Sequence, residues 1–243
     1  RHFNPCVSCS RGYEGQIGQS SEPYIRLGIM CDSVVGGTGM TLLFAECHAH
    51  GAFVAADTRR RDLTSGQFRE VAKITKLTEL TVMMTGGHGS FGDYVRGMSH
   101  YILGTTPKAP SVQTQVDVVT RLLRTAFKDF TDLHPDNILP VAAWIAGYDP
   151  GRDTGFLCAI SSENGFSPEW CLDPGVIHLA APDTHRAMRE LRTILDTNPS
   201  LRGDPLATAK ALAVKIAQWT DDVGQELDWA DAQMIGVVGP SRA

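Results

Sequence analysis

Between Met40 and His88 the chain sets four kinds of reactive group at the ends of successive apolar runs. Thr41 opens the first run, Asp57 and Arg59 close the second, Lys73 precedes Ile74, and Gly86-Gly87 follows the third. A Thr hydroxyl is a poor nucleophile at neutral pH and needs a base beside it. An ammonium such as that of Lys73 would polarise the hydroxyl, and a carboxylate such as that of Asp57 would hold the ammonium in place. Buried together, the two charges are tolerable only as a pair. A glycine lets the backbone come close to a reacting carbonyl, so the N–H of Gly87 could stabilise a developing oxyanion. Taken singly, each residue has an ordinary structural role: a Thr in a strand, a solvated charge, a turn. Their ordered occurrence at matching strand ends makes them a catalytic set.

The elements that must carry these groups follow from periodicity. Two short apolar runs on either side of His50-Gly51 predict a β-hairpin, with Thr41 at its head and Asp57 at its end. The polar stretch from Arg59 to Phe68, with its Ser65-Gly66 turn, reads as a loop. Residues 71–76 and 80–84 read as two further strands. A helix is expected over 90–103, and a clearer one over 111–133, where Val112, Val116, Val119, Leu123, Phe127 and Phe130 recur at helical spacing. Ser111 suits its N-cap. Strands are expected over 138–148 and 155–161, with another within 170–179. Helices over 184–196 and 205–220 and a closing strand over 234–238 complete the order. Strands and helices in segregated runs imply an α+β domain built in layers.

Composition narrows the function classes. A chain of 243 residues, 42% hydrophobic, can bury one substantial core. A net charge of −5 argues against nucleic acid as a partner. No apolar run approaches the roughly 20 residues that span a bilayer, and Arg26 interrupts the one short apolar stretch near the start. The expectation is a cytoplasmic protein. Of the six cysteines only Cys6 and Cys9 form a CxxC pair, with no second pair to complete a zinc site. Cys47, Cys158 and Cys171 lie in apolar contexts and read as reduced core residues. His48 and His50 read as solvated turn residues, and neither a metal nor a cofactor is expected.

Thr41, Asp57-Thr58-Arg59, Lys73-Ile74 and Gly86-Gly87 together resemble the N-terminal part of a proteasome β subunit or of the related bacterial peptidases. These are N-terminal-nucleophile hydrolases whose first residue is a catalytic Thr. The likeness is good from Thr41 to about Leu103. It implies a four-layer αββα sandwich, with Thr41 as nucleophile, Asp57 and Lys73 as its charged support, Gly87 as oxyanion donor and Arg59 as a structural or substrate-lining residue. It further implies a peptide or unfolded protein as substrate, a homo-oligomeric ring, and an ATPase unfoldase as a possible feeder. When Thr is the first residue its own α-amino group can act as base, because the reference pKa of about 7.7 to 8.0 lies near ambient pH.

Two features qualify the resemblance. Residues 1–40 are rich in Gly, Ser, Cys and Pro and read as a flexible segment upstream of a single domain over 41–243. That segment is either a propeptide removed by self-cleavage or lies ahead of a translation start at Met40. Such precursors usually carry Gly before the Thr, so Met40 favours the second. Where the family has a Gly- and Ser-rich turn before its third helix, this chain has Ala180-Ala181-Pro182-Asp183-Thr184. After the fourth helix Asp221 or Asp222 could supply the family's Asp, but Gly224-Gln225 supplies no Ser. Secondary support from the Asp183 and Asp222 region is therefore weakened. The alternative readings are a non-catalytic ring subunit, or a small-molecule amidase on the same fold.

Overall fold

A computed structural model describes residues 26–28, 41–62, 65–106, 110–133 and 140–233. Cys6, Cys9, Met40 and the strand expected over 234–238 lie outside the described residues.

The expected hairpin is β2 (Leu43–His48) and β3 (Gly51–Asp57), in register from Leu43 opposite Ala56 to His48 opposite Gly51. β3 is buried along its whole length, which explains why its sequence is a continuous apolar run rather than an alternating one. Five strands form the first sheet in the order β1 (Arg26–Gly28), β11 (Val176–Ala180), β2, β3, β12 (Leu227–Gln233). All its pairings are antiparallel except that of β1 with β11. The second sheet, antiparallel throughout, runs β10 (Glu169–Cys171), β9 (Thr154–Ser161), β8 (Ala142–Asp149), β7 (Thr81–Gly86), β6 (Ile74–Thr78).

Three apolar clusters explain how the elements pack. Leu43, Val54 and Ala56 from one sheet meet Met84, Trp144 and Leu157 from the other. On the opposite face of the first sheet Phe44 and Phe53 pack with Leu191 of α3 (Thr184–Thr197) and Leu212 of α4 (Pro205–Ile216). Met83 and Ile145 of the second sheet pack with Val95 of α1 (Gly89–Gly104) and Val116 of α2 (Val112–Leu133). The domain is thus α+β, with helices against the faces that the sheets turn away from each other. Caps fix the helix starts. Ser111 Oγ accepts from Thr114 N at 3.2 Å, Asp183 from Arg186 N at 2.8 Å, and Asp204 from Ala207 N at 2.9 Å. No described helix is long and apolar enough to cross a membrane.

Three local readings need correction. The stretch after Arg59 is a small ribbon, β4 (Arg59–Arg61) paired with β5 (Phe68–Glu70), rather than a plain loop. The guanidinium groups of Arg59 and Arg61 lie 5.2 and 5.7 Å from the Phe68 ring centre, a cation–π contact that polarity alone does not reveal. Residues 170–179 supply two strands, one to each sheet. α4 stops at Ile216 rather than near Thr220. The described residues also include a strand that periodicity did not reveal, β12 over Leu227–Gln233; the strand expected over 234–238 lies outside them. Two Asp residues disguise it, although Leu227 and Trp229 face the α3/α4 cluster and Ala230 and Ala232 face the intersheet cluster.

Cys47, Cys158 and Cys171 are buried and free. Cys171 Sγ lies 2.9 Å from His178 Nε2, also buried.

Glu46 is a polar intruder in β2, on the face it shares with Phe44 and opposite Phe53 and Ile177. Loss of hydration pushes its carboxyl from 4.5 up to about 7. A carboxyl raised on folding stabilises fully below its unfolded value, and that contribution is lost as pH rises through the folded value. Glu46→Gln should therefore raise the melting temperature at pH 8 and leave it nearly unchanged at pH 4.5. Thermal unfolding followed by circular dichroism checks this; equal shifts at both pH values would refute it.

Candidate active site

The hairpin brings the start of β2 beside the end of β3, because an antiparallel pair returns the chain to where it began. Asp57 N consequently donates to Leu42 O at 3.2 Å, and Leu42 N donates to the Asp57 carboxylate at 2.8 Å. That carboxylate is fully buried and accepts twice more, from Gly224 N at 3.2 Å and from Lys73 Nζ at 3.0 Å. Lys73 sits just ahead of β6 rather than within a strand. Its backbone N and that of Ile74 donate to one oxygen of Asp228, at 3.1 and 3.0 Å. Its Nζ donates to Arg59 O at 2.6 Å and to Thr41 Oγ1 at 3.3 Å.

The structure thus brings Thr41, Asp57 and Lys73 together. Thr41 is half-buried, whereas the pair behind it is shielded from solvent: Lys73 is 4% exposed and Asp57 0%. Removal from water holds the Lys73 ammonium below its ordinary value, against the attraction of Asp57. Burial likewise lifts the Asp57 carboxyl above its ordinary value, against Lys73 and the donated N–H groups. Both shifts make a proton on Lys73 easier to exchange than on a solvated lysine.

In front of Thr41 opens a cavity of about 670 Å³, lined also by Lys73, Arg59, Gly87, Phe130 and Leu133. Gly87 follows β7, and its φ of +94° favours glycine. A Cβ there would come within 2.1 Å of Pro140 O, so no other residue fits. Arg59 contributes twice, through its carbonyl to Lys73 and through its side chain, which donates to Asp221 O at 3.0 Å.

Two residues from the sequence set lie elsewhere or play lesser parts. Asp183 caps α3, and Asp222 meets Arg61 at 3.7 Å. The Thr184 hydroxyl is occupied locally by Ala181 N and Ala181 O, each at 3.2 Å. Conversely, Gly224, Asp228, Arg96 and Asp93 were not legible as site residues. The only signal for Asp228 is a carboxylate on the inward face of an otherwise amphipathic strand. Arg96 reaches back from α1 to Ala72 O at 2.9 Å and to Thr85 Oγ1, buttressing the approach to Lys73. No group of three His, Cys, Asp or Glu side chains among the described residues is arranged to hold a metal ion.

The chain matches no family model and no curated protein. The chemistry of the site therefore rests on its own geometry.

Removing one partner of a buried pair strands the other charge, at a cost of about 3–5 kcal/mol. Asp57→Ala should lower unfolding stability by about that amount, since it also orphans two N–H groups. Asp57→Ala combined with Lys73→Met should cost clearly less than the two single variants together. Urea denaturation of the single and double variants measures both, and an additive double variant would show that the two groups are not coupled.

Proposed function

We propose that this chain is a threonine-type amidohydrolase that cleaves peptide bonds with Thr41 as its N-terminal nucleophile. The observation that carries the reading is the 3.3 Å approach of Lys73 Nζ to Thr41 Oγ1, with Lys73 held in turn by buried Asp57. On this reading the two packed sheets and their flanking helices are the four-layer αββα sandwich of the N-terminal-nucleophile hydrolases. The likeness of Thr41, Asp57-Thr58-Arg59, Lys73 and Gly86-Gly87 to a proteasome β subunit supports the same reading.

In the proposed reaction the Thr41 hydroxyl oxygen attacks the carbonyl carbon of the scissile amide. Its proton passes to the free α-amine of Thr41, whose affinity for protons the neighbouring ammonium lowers. The oxyanion so formed is stabilised by the backbone N–H at Gly87. Losing one such donor typically costs about 3–4 kcal/mol of transition-state stabilisation. Collapse of the tetrahedral intermediate breaks the C–N bond, and the leaving amine takes the proton. Water then attacks the Thr41 ester, delivers its proton back through the amine, and releases the acid.

This scheme requires residue 41 to be the first of the active chain, because an acylated nitrogen cannot act as base. The proposal extends to a homo-oligomeric ring with the cavities facing an inner chamber, fed by an ATPase unfoldase. A second reading draws on the cavity itself, whose 670 Å³ falls within the range of small-molecule sites. In that case a compact amide is the substrate.

Mass spectrometry of the active protein should show a chain that begins at Thr41. Thr41→Ala should then reduce the hydrolysis of fluorogenic peptides by about 10³-fold or more. Lys73→Ala should cost about 10²-fold or more. Activity that survives Thr41→Ala would rule out the mechanism, and turnover of compact amides alone would assign the site to a small-molecule amidase. An active protein with residue 40 still attached would exclude the α-amine as base.

A further inference from the structure

The charges around the cavity are arranged by sign. Six basic side chains line it, those of Arg59, Arg60, Arg61, Arg69, Lys73 and Arg96, against two acidic ones, Asp62 and Asp129. In a chain whose net charge is −5, such a concentration is local and needs a reason. Asp57, Asp93 and Asp222, which pair with Lys73, with Arg60 and Arg96, and with Arg61, do not line the cavity, although Asp93 is itself 46% exposed. Asp57 is fully buried against Lys73. Asp93 is shared, bonding Arg60 at two points, one of them 2.8 Å, and Arg96 at 2.5 Å. One carboxylate thus serves two guanidinium groups whose side chains are only 11% and 8% exposed. Asp228 is turned to the backbone of Lys73 and Ile74.

The remaining cations are bound still more loosely. Among the described residues the Arg59 guanidinium meets a carbonyl and the Phe68 ring. Arg61 reaches Asp222 at 3.7 Å while half exposed. Arg69, on exposed β5, has no ion pair among the described residues. A molecule entering the cavity therefore meets six cationic side chains and two carboxylates, those of Asp62 and Asp129. Partly buried guanidinium groups with incomplete partners attract carboxylates strongly, because screening is weak and the fork geometry matches. Phe91, Phe130 and Leu133 add apolar surface to the wall that can take the uncharged part of the same molecule.

From this arrangement we infer that the site selects anionic substrates, carrying a carboxylate next to the amide bond that Thr41 attacks. The inference rests on the threonine-hydrolase reading and names its substrate class. The carboxylate could be an acidic side chain or a free chain terminus, and the two chemistries are separable.

The test compares fluorogenic peptides that differ only in the residue preceding the scissile bond. kcat/KM should be at least about 10-fold higher for Glu than for Gln, and lowest for Lys. The advantage should shrink as salt rises from 0.05 to 0.5 M. In Arg60→Gln the Glu-to-Gln ratio should fall several-fold. Equal rates for Glu and Gln, or a preference for Lys, overturn the inference while leaving Thr41 as nucleophile. A second measurement needs no turnover and survives failure of the hydrolase reading. The melting temperature of the full chain should rise more with N-acetyl-glutamic acid α-amide than with N-acetyl-glutamine α-amide, which lacks a carboxylate. A larger rise with N-acetyl-glutamine as the free acid would identify a chain terminus as the anion recognised. Equal shifts with all three would overturn the inference.

Discussion

The structure around the cavity depends on one buried carboxylate. Asp57 closes β3 and accepts from Leu42 N, Gly224 N and Lys73 Nζ, so it ties the head of the first hairpin to the approach of β12 and of β6. A carboxylate with no exposed surface is tolerable because donors surround it. The same bonds set where each donor must be. Lys73 cannot retreat to solvent without abandoning Asp57, and its ammonium is thereby held against Thr41. Asp228 performs the matching task for the Lys73 backbone. Side chain and main chain of the lysine are thus fixed independently, and the reactive geometry does not rely on a flexible tether.

Rigidity in this region has a further source in the apolar clusters. β2 and β3 contribute to the cluster between the sheets through one face and to the α3/α4 cluster through the other. A register slip of one residue would exchange those faces and bury Glu46 where Ala45 now packs. The site at the hairpin's end therefore inherits its precision from packing over its whole length. The helices of the other sheet matter differently, since α1 begins directly after the Gly86–His88 turn and sends Arg96 back towards Thr85.

Much of this arrangement was legible in the chain, and the reasons for the gaps are physical. The hairpin and the two central helices could be read from strong apolar periods, and Thr41, Asp57 and Lys73 could be expected near one another because each sits beside a strand end. Residues that act through their backbone could not. Gly224 contributes an N–H and Arg59 a carbonyl, and side-chain type carries no record of either. Asp228 is distant in sequence from Lys73 and Ile74, as Asp93 is from Arg60, so nothing local marks those contacts. The ribbon of β4 and β5 was missed because it is held by arginines on an aromatic ring rather than by apolar alternation. β12 was missed because its acidic residues break the very pattern by which strands are recognised.

The parallel pairing of Arg26–Gly28 with Val176–His178 would matter for any cut ahead of Thr41. These three residues cover the outer rim of the first sheet. Were the backbone severed ahead of Thr41, the pairing with β11 would no longer be backed by a covalent link to the rest of the sheet, and their departure would bare one side of β11. An uncovered rim is a row of unpaired amides and carbonyls that readily recruits another polypeptide. Liberation of the amine at Thr41 and exposure of a sticky seam at β11 would then be two outcomes of a single cut, one chemical and one architectural.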